Sequence, residues 1–254
     1  MMTDFLEKIL QEKAQETAKM SREKLKTLRQ TPSFCERVRN EPEYVHIIGE
    51  IKRASPSKGQ INMEVDAVKQ AKLYEAAGVS AISVLTDEVF FKGSIETLKE
   101  VAAAVAIPVL CKDFIIDEKQ LIRARNAGAT MILLIVAALS PEKLAELFQA
   151  AQDLGLEVLM EVHNREELTI AEALAAPLIG VNNRNLKTFE VTIETSIELG
   201  KHQKTNAVYI SESGFETGAQ AAAISDRYQG VLVGETLMRA ASPEAKVREL
   251  RAAR

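Results

Sequence analysis

The chain has no tryptophan, and only two of its 254 residues are cysteine. Cys35 and Cys111 stand in unrelated contexts, so they offer neither a disulfide framework nor a metal-ligand spacing; a reducing, cytoplasmic compartment is expected. No apolar run approaches the roughly 20 residues of a membrane-spanning helix, and the longest, MILLIVAAL at 131–139, suits a buried strand. The opening stretch MMTDFLEKILQEKAQETAKM is charged throughout and lacks the apolar segment of a secretory signal. A basic excess is also missing. The net charge of −4 argues against a nucleic-acid partner, whose footprint is a strongly basic face, so an anionic ligand would need a local positive site. The three histidines, His46, His163 and His202, are scattered and make no metal-ligand cluster; a structural or surface role is expected for each, with His163 close enough to Glu161 to reach the same site. No Gly-, Pro- or Ser-rich linker divides the chain, so 1–254 is read as a single domain.

What the chain does have is alternation. From about residue 45, eight short apolar runs (HIIGEI, SAISVLT, IPVLCKDF, TMILLIV, LEVLMEV, PLIGVNN, AVYISES and GVLVGE) alternate with amphipathic helical patterns such as EVDAVKQAKLYEAAG and PEKLAELFQAAQDLG. The runs are near-continuously apolar, as expected of parallel strands covered on both faces. Gly78, Gly128 and Gly155 each follow a helical pattern and precede a strand, the position after a helix that favours glycine. Ser140-Pro141 and Ser242-Pro243 read as helix starts. Strand ends are expected near Glu50, Thr86, Lys112, Ile135, Glu161, Asn182, Ser211 and Gly234. Eight βα units in about 210 residues predict a (β/α)8 TIM barrel over 46–254. A doubly wound open sheet is the alternative, but the glycine-rich first turn it often carries is absent. Residues 1–45 read as an N-terminal helical extension, with Phe5, Leu6, Ile9, Leu10 and Ala14 as the stripe that packs on the barrel.

In such a barrel the chemistry belongs at the carboxyl ends of the strands. Glu50 and Lys52 lie there on the first strand, Lys112 on the third and Glu161 on the fifth. Asn182 and Arg184 follow on the sixth, and Ser211 and Ser213 on the seventh. Residues two apart share a strand face, so Glu50 points with Lys52, Lys112 with Leu110 and Glu161 with Leu159. If those leucines face the barrel interior, the charges project into its mouth, where they shift one another's pKa values. That is a common way to hold an acid and a base near working pH. Gly214 and Gly234 follow the last two strands, where a phosphate site recurs in this fold. Phe90, Phe91 and Phe114 offer apolar surface for a flat ring, with core packing as the competing reading; Cys111, of opposite parity to Lys112, reads as a packed core thiol.

The stretches EIKRASPSKG, SVLTDEVFFKGS, VLCKDFIID, MILLIVAAL, VLMEVHN, IGVNNRNL, ISESG and VLVGETLM resemble the indole-3-glycerol phosphate synthase family, in order and across nearly the whole chain. The resemblance implies a carboxy-lyase of tryptophan biosynthesis. Such an enzyme closes, decarboxylates and dehydrates 1-(2-carboxyphenylamino)-1-deoxyribulose 5-phosphate without cofactor or metal. It implies Lys112 as the acid of ring closure, Glu161 as the base of dehydration, and Lys52 as a contact to substrate and phosphate. Lys52 is also a candidate acid of dehydration, and which lysine acts at which step stays open. Glu50 and Asn182 would orient substrate and lysines. Ser55, Pro56, Phe91, Phe114, Leu133, Arg184 and Ser213 would line the substrate pocket. Gly214, Gly234 and the backbone N–H of Glu235 would join Lys52 at the phosphate, with Lys58 a loop charge. The partner is then a phosphorylated small molecule, with neither nucleic acid nor membrane. A monomer is expected, with a weak dimer through one barrel face left open. A phosphoribosylanthranilate isomerase and a non-catalytic sugar-phosphate-binding barrel are the competing readings.

Overall fold

The computed structural model describes residues 5–27, 32–55, 59–60 and 63–251. The eight apolar runs form parallel strands: β1 (His46–Ile51), β2 (Ala81–Leu85), β3 (Val109–Lys112), β4 (Met131–Ile135), β5 (Glu157–Val162), β6 (Leu178–Asn182), β7 (Val208–Glu212) and β8 (Gly230–Val233). Each pairs with its neighbours in sequence, and β8 pairs with β1 from His46↔Gly230 to Gly49↔Val233, which closes the barrel. This is a TIM barrel, as the alternation predicts.

Strand parity divides the apolar residues into two cores. Ile48, Leu110, Leu133, Leu159, Ile210 and Leu232 fill the barrel interior. Ile47, Cys111, Ile132, Met160, Val181 and Val231 face the surrounding helices. Burial on both faces is why these strands read as unbroken apolar runs. The helix boundaries follow local chemistry. Ser140 Oγ accepts the Lys143 N–H at 3.3 Å ahead of helix Pro141–Asp153. Asp117 and Gln120 form a capping box on helix Glu118–Asn126, and Gly128 just beyond it has φ +98°.

Two N-terminal helices close the barrel ends. Helix α1 (Phe5–Lys19) sits at the carboxyl ends of the strands, where Phe5, Leu6 and Ile9 face the mouth. Helix α2 (Phe34–Asn40) plugs the other end by placing Phe34, Cys35 and Val38 in the interior core. Glu157, at the start of β5, fixes that plug: its carboxylate accepts Ser33 Oγ–H at 2.7 Å and the N–H groups of Phe34 and Cys35 at 2.7 and 3.0 Å. The stripe expected on α1 is corrected in one respect. Ala14 is exposed, and the buried face runs Ile9, Lys13, Thr17. The reason is that α1 lies over a polar rim, so a lysine with carboxylate partners is the residue that can be buried there.

After β1 a short antiparallel ribbon pairs Ala54 with Gln60 and Ser55 with Gly59. Among the described residues no helix is long and apolar enough to cross a membrane.

Candidate active site

At the carboxyl ends of the strands the barrel opens into a cavity of about 860 Å³. Four charged groups from four strands line it, three buried glutamates and one half-buried lysine. Lys112 ends β3 on the inward parity of Leu110; its Nζ donates to Glu212 of β7 and lies 3.4 Å from Glu161 of β5. Glu50 of β1 is the fourth, and its Oε1 lies 2.6 Å from Lys52 Nζ. The glutamates are almost wholly dry, with residues Glu50 and Glu161 each 3% exposed and Glu212 1%. Charges this deep persist only when paired. Burial works against the Lys112 ammonium, but Glu212, Glu161 and Glu50 together hold it firmly protonated.

The two carboxylates that share Lys112 are unequal. Burial opposes the charge of Glu161, yet Lys112, His163 and Asn182 outweigh it and keep its pKa well below the usual carboxylate range. Glu212 has fewer partners, and its Oε1 accepts no hydrogen bond. Burial pushes its pKa up to about 7, Lys112 pulls against that, and the negative charge of Glu161 adds to the rise. His163 lies between two acids, with Nε2 3.2 Å from Glu161 and Nδ1 3.0 Å from Glu167. Burial opposes its charge too, but the two glutamates carry its pKa to about 10.

Apolar and polar walls complete the cavity. Phe91 and Phe114 stand with ring centroids 6.1 Å apart on one side, and Leu133 lines the floor. Phe5 meets Phe90 edge-on at 5.5 Å and Phe189 at 5.2 Å, so α1 roofs this side. Lys52, Arg184, Ser213, Gly214, Gly234 and Glu235 line the cavity as well. Ser213 and Gly214 both have positive φ, +69° and +91°, which turns the chain sharply after β7. Gly234 begins helix Glu235–Arg239, whose first amides lack intrahelical acceptors. The Glu235 carboxylate accepts Arg239 Nε–H at 3.1 Å, a pair within the helix. Burial lowers the pKa of Arg184, whose Nη1 donates to the Phe189 carbonyl at 3.1 Å. Among the described residues no three His, Cys, Asp or Glu side chains are set to hold a metal ion.

The family model for indole-3-glycerol phosphate synthase matches residues 4–250. An indole-3-glycerol phosphate synthase of Listeria welshimeri is 59% identical over 250 residues, 98% of this chain and 99% of that protein. One from Streptococcus pneumoniae is 52% identical over 98% of each chain. The chain belongs to the indole-3-glycerol phosphate synthase family. Solved structures with less sequence likeness share the barrel alone: a tryptophan synthase alpha chain from Legionella pneumophila aligns with TM-score 0.61 at 13% identity, covering 84% of this chain and 92% of that one. A 3-hexulose-6-phosphate synthase aligns with TM-score 0.63 at 18% identity, covering 81% and 98%.

Within this synthase-family barrel, Glu50, Lys52, Lys112, Glu161, Asn182, Phe91, Phe114, Leu133, Arg184, Ser213, Gly214, Gly234 and Glu235 all line one cavity. Pro56 and Lys58, and the side chain of Ser55, lie outside the described residues. Sequence reasoning missed Glu212. It sits two residues past the interior Ile210, so the parity argument that selects Lys112 and Glu161 selects it as well. Ser211, read as part of the rim, instead faces outward, where it accepts from Asn183 Nδ2 at 3.0 Å. His163 is not part of the cavity lining; it contacts Glu161 from outside it. Cys111 is a buried outward-facing thiol, as its parity implies, and burial pushes its pKa up to about 12.

Proposed function

We propose that this chain converts 1-(2-carboxyphenylamino)-1-deoxyribulose 5-phosphate to indole-3-glycerol phosphate, carbon dioxide and water, as a carboxy-lyase of tryptophan biosynthesis. The observation that carries this reading is one ammonium, Lys112, shared by two buried carboxylates inside a cavity with an aromatic wall and a cationic, amide-rich end. The aromatic wall takes the carboxyphenyl ring. Lys52 and the amides near Gly214, Gly234 and Glu235 take the phosphate.

The ring carbon that bears the carboxyl attacks the ketone. Lys112 donates a proton to the ketone oxygen as it becomes a hydroxyl. Carbon dioxide then leaves from that ring carbon, and its bonding electrons restore the aromatic ring. In the last step the new hydroxyl departs as water with a proton from Lys52. Glu161, held ionised by its neighbours, takes a proton from the adjacent CH2 carbon, and the indole double bond forms. Glu50 keeps Lys52 in place, Glu212 does so for Lys112, and Asn182 steadies Glu161. Each positioned acid or base typically contributes about 10²–10⁴-fold.

All of these groups come from one chain, so the active unit is taken as the monomeric single-domain barrel. Both cysteines are buried and free, which suits the cytoplasm. The test is to supply the phosphorylated substrate with chelator present and follow indole fluorescence together with released carbon dioxide. The chain has no tryptophan, so background is low. One carbon dioxide per indole product is expected. Folded protein that yields neither product contradicts the assignment and favours an isomerase or a non-catalytic sugar-phosphate-binding barrel.

A further inference from the structure

One buried cation lies outside this chemistry. The Lys13 side chain on α1 is 2% exposed, and its Nζ lies 2.8 Å from Asp113, 3.0 Å from Asp87 and 2.8 Å from Glu16. Arg123 holds the other oxygen of Glu16 at 2.8 Å. The two aspartates are almost fully buried and each organises a strand-end loop. Asp87, just past β2, accepts the N–H groups of Phe90 and Phe91 at 2.6 and 3.1 Å, which folds the turn that delivers Phe91 to the cavity. Asp113, next to Lys112, accepts the Phe114 N–H at 2.8 Å and Thr86 Oγ–H at 2.6 Å. One ammonium is therefore the shared counter-charge of the two carboxylates on which both rings of the aromatic wall are hung.

We propose that Lys13 is a positioning residue for ring recognition, acting through Asp87 and Asp113 to hold Phe91 and Phe114 in register. The ligand class, a flat aromatic ring, rests on the function proposed above. Removing the ammonium leaves two close, dry carboxylates without a counter-charge. They repel and draw in water, and the loops they fold lose their geometry. Replacing both acids by amides at the same time removes the repulsion and keeps a carbonyl acceptor at each loop.

The decisive comparison is Lys13→Met against the triple variant Lys13→Met, Asp87→Asn, Asp113→Asn. Thermal melts monitor folding. Two signals are read: the split between KM and kcat, and hydrogen exchange at the Phe90, Phe91 and Phe114 amides. For Lys13→Met, KM is expected to rise tenfold or more with kcat within about threefold, and the three amides to exchange at least tenfold faster. Both changes should largely revert in the triple variant. A Lys13→Met protein with unchanged KM and unchanged exchange overturns the proposal. If Lys13→Met does not fold, the triple variant decides. Wild-type KM and exchange in it support the proposal, while raised KM and fast exchange overturn it. Failure of both variants to fold also overturns it, in favour of a purely structural lysine. Absence of turnover in the wild type contradicts the substrate assignment alone; the amide-exchange comparison still tests the positioning.

Discussion

Glu212 is a carboxylate with almost no water around it, one oxygen given to Lys112 and the other to nothing. Its pKa is raised from the ordinary 4.5 to about 7, first by burial and then by the nearby charge of Glu161. The sign of the consequence follows from which form pairs. Above about pH 7 the carboxylate holds Lys112; below it the neutral acid releases part of that grip. The stability contribution runs the other way. A raised acid stabilises the fold most below its unfolded value and loses that contribution as pH rises through 7. The kcat/KM profile is expected to fall on the acid side with an apparent pKa near 7, and that limb is expected to vanish in Glu212→Gln. A variant that keeps the same limb would assign it to another group. Neither Glu212 nor Lys13 was legible in isolation. Glu212 sits between two serines, one residue past the strand end expected at Ser211. Lys13 sits on a helix otherwise rich in exposed charge, and only the fold brings Asp87 and Asp113 to it.

Among the elements, the strands position the site through alternation, and their glycines matter as much as their charges. Gly180 lies on the inward parity of β6, between Leu178 and Asn182. A Cβ there would overlap the Glu212 carboxylate and come within 3.1 Å of Leu159. A Cβ on Gly234 would stand 2.5 Å from Glu50 Oε1. These positions are bare so that two buried carboxylates can fit beside the backbone. Gly180→Ala is expected to displace Glu212 and cut kcat roughly tenfold or more, since displacements of about 1 Å in an active site can cost that much. Steady-state kinetics alongside a thermal melt would check it, and an unchanged kcat would show that Glu212 has room to move. The strands themselves were readable because they are buried on both faces. Their ends moved by a residue where apolar character continues past a charge, as at Val162 after Glu161, or stops just short of a glycine, as at Val233. The roof over the mouth was less readable, because a helix stripe shows that α1 packs but not which rim it packs on.

Across the whole molecule the two barrel ends do different work. The amino end of the strands is sealed by Phe34, Cys35 and Val38, and Glu157 caps the plug. The carboxyl end holds every charged group of the proposed chemistry. Phe34→Ala should therefore lower the unfolding free energy by about 3–5 kcal/mol in urea titrations, the usual range for a large aromatic removed from a core. KM should stay near the wild-type value, because Phe34 touches nothing at the mouth. A large change in KM with little loss of stability would mean that the ends are coupled.

The central claim is that Lys112, clasped by Glu161 and Glu212, is the acid of ring closure. Its most direct test is kcat for Lys112→Met, measured by indole fluorescence beside wild type on protein shown to be folded. The account predicts a fall of about 10²–10⁴-fold. Activity within about threefold of wild type would contradict it and move the acid to Lys52.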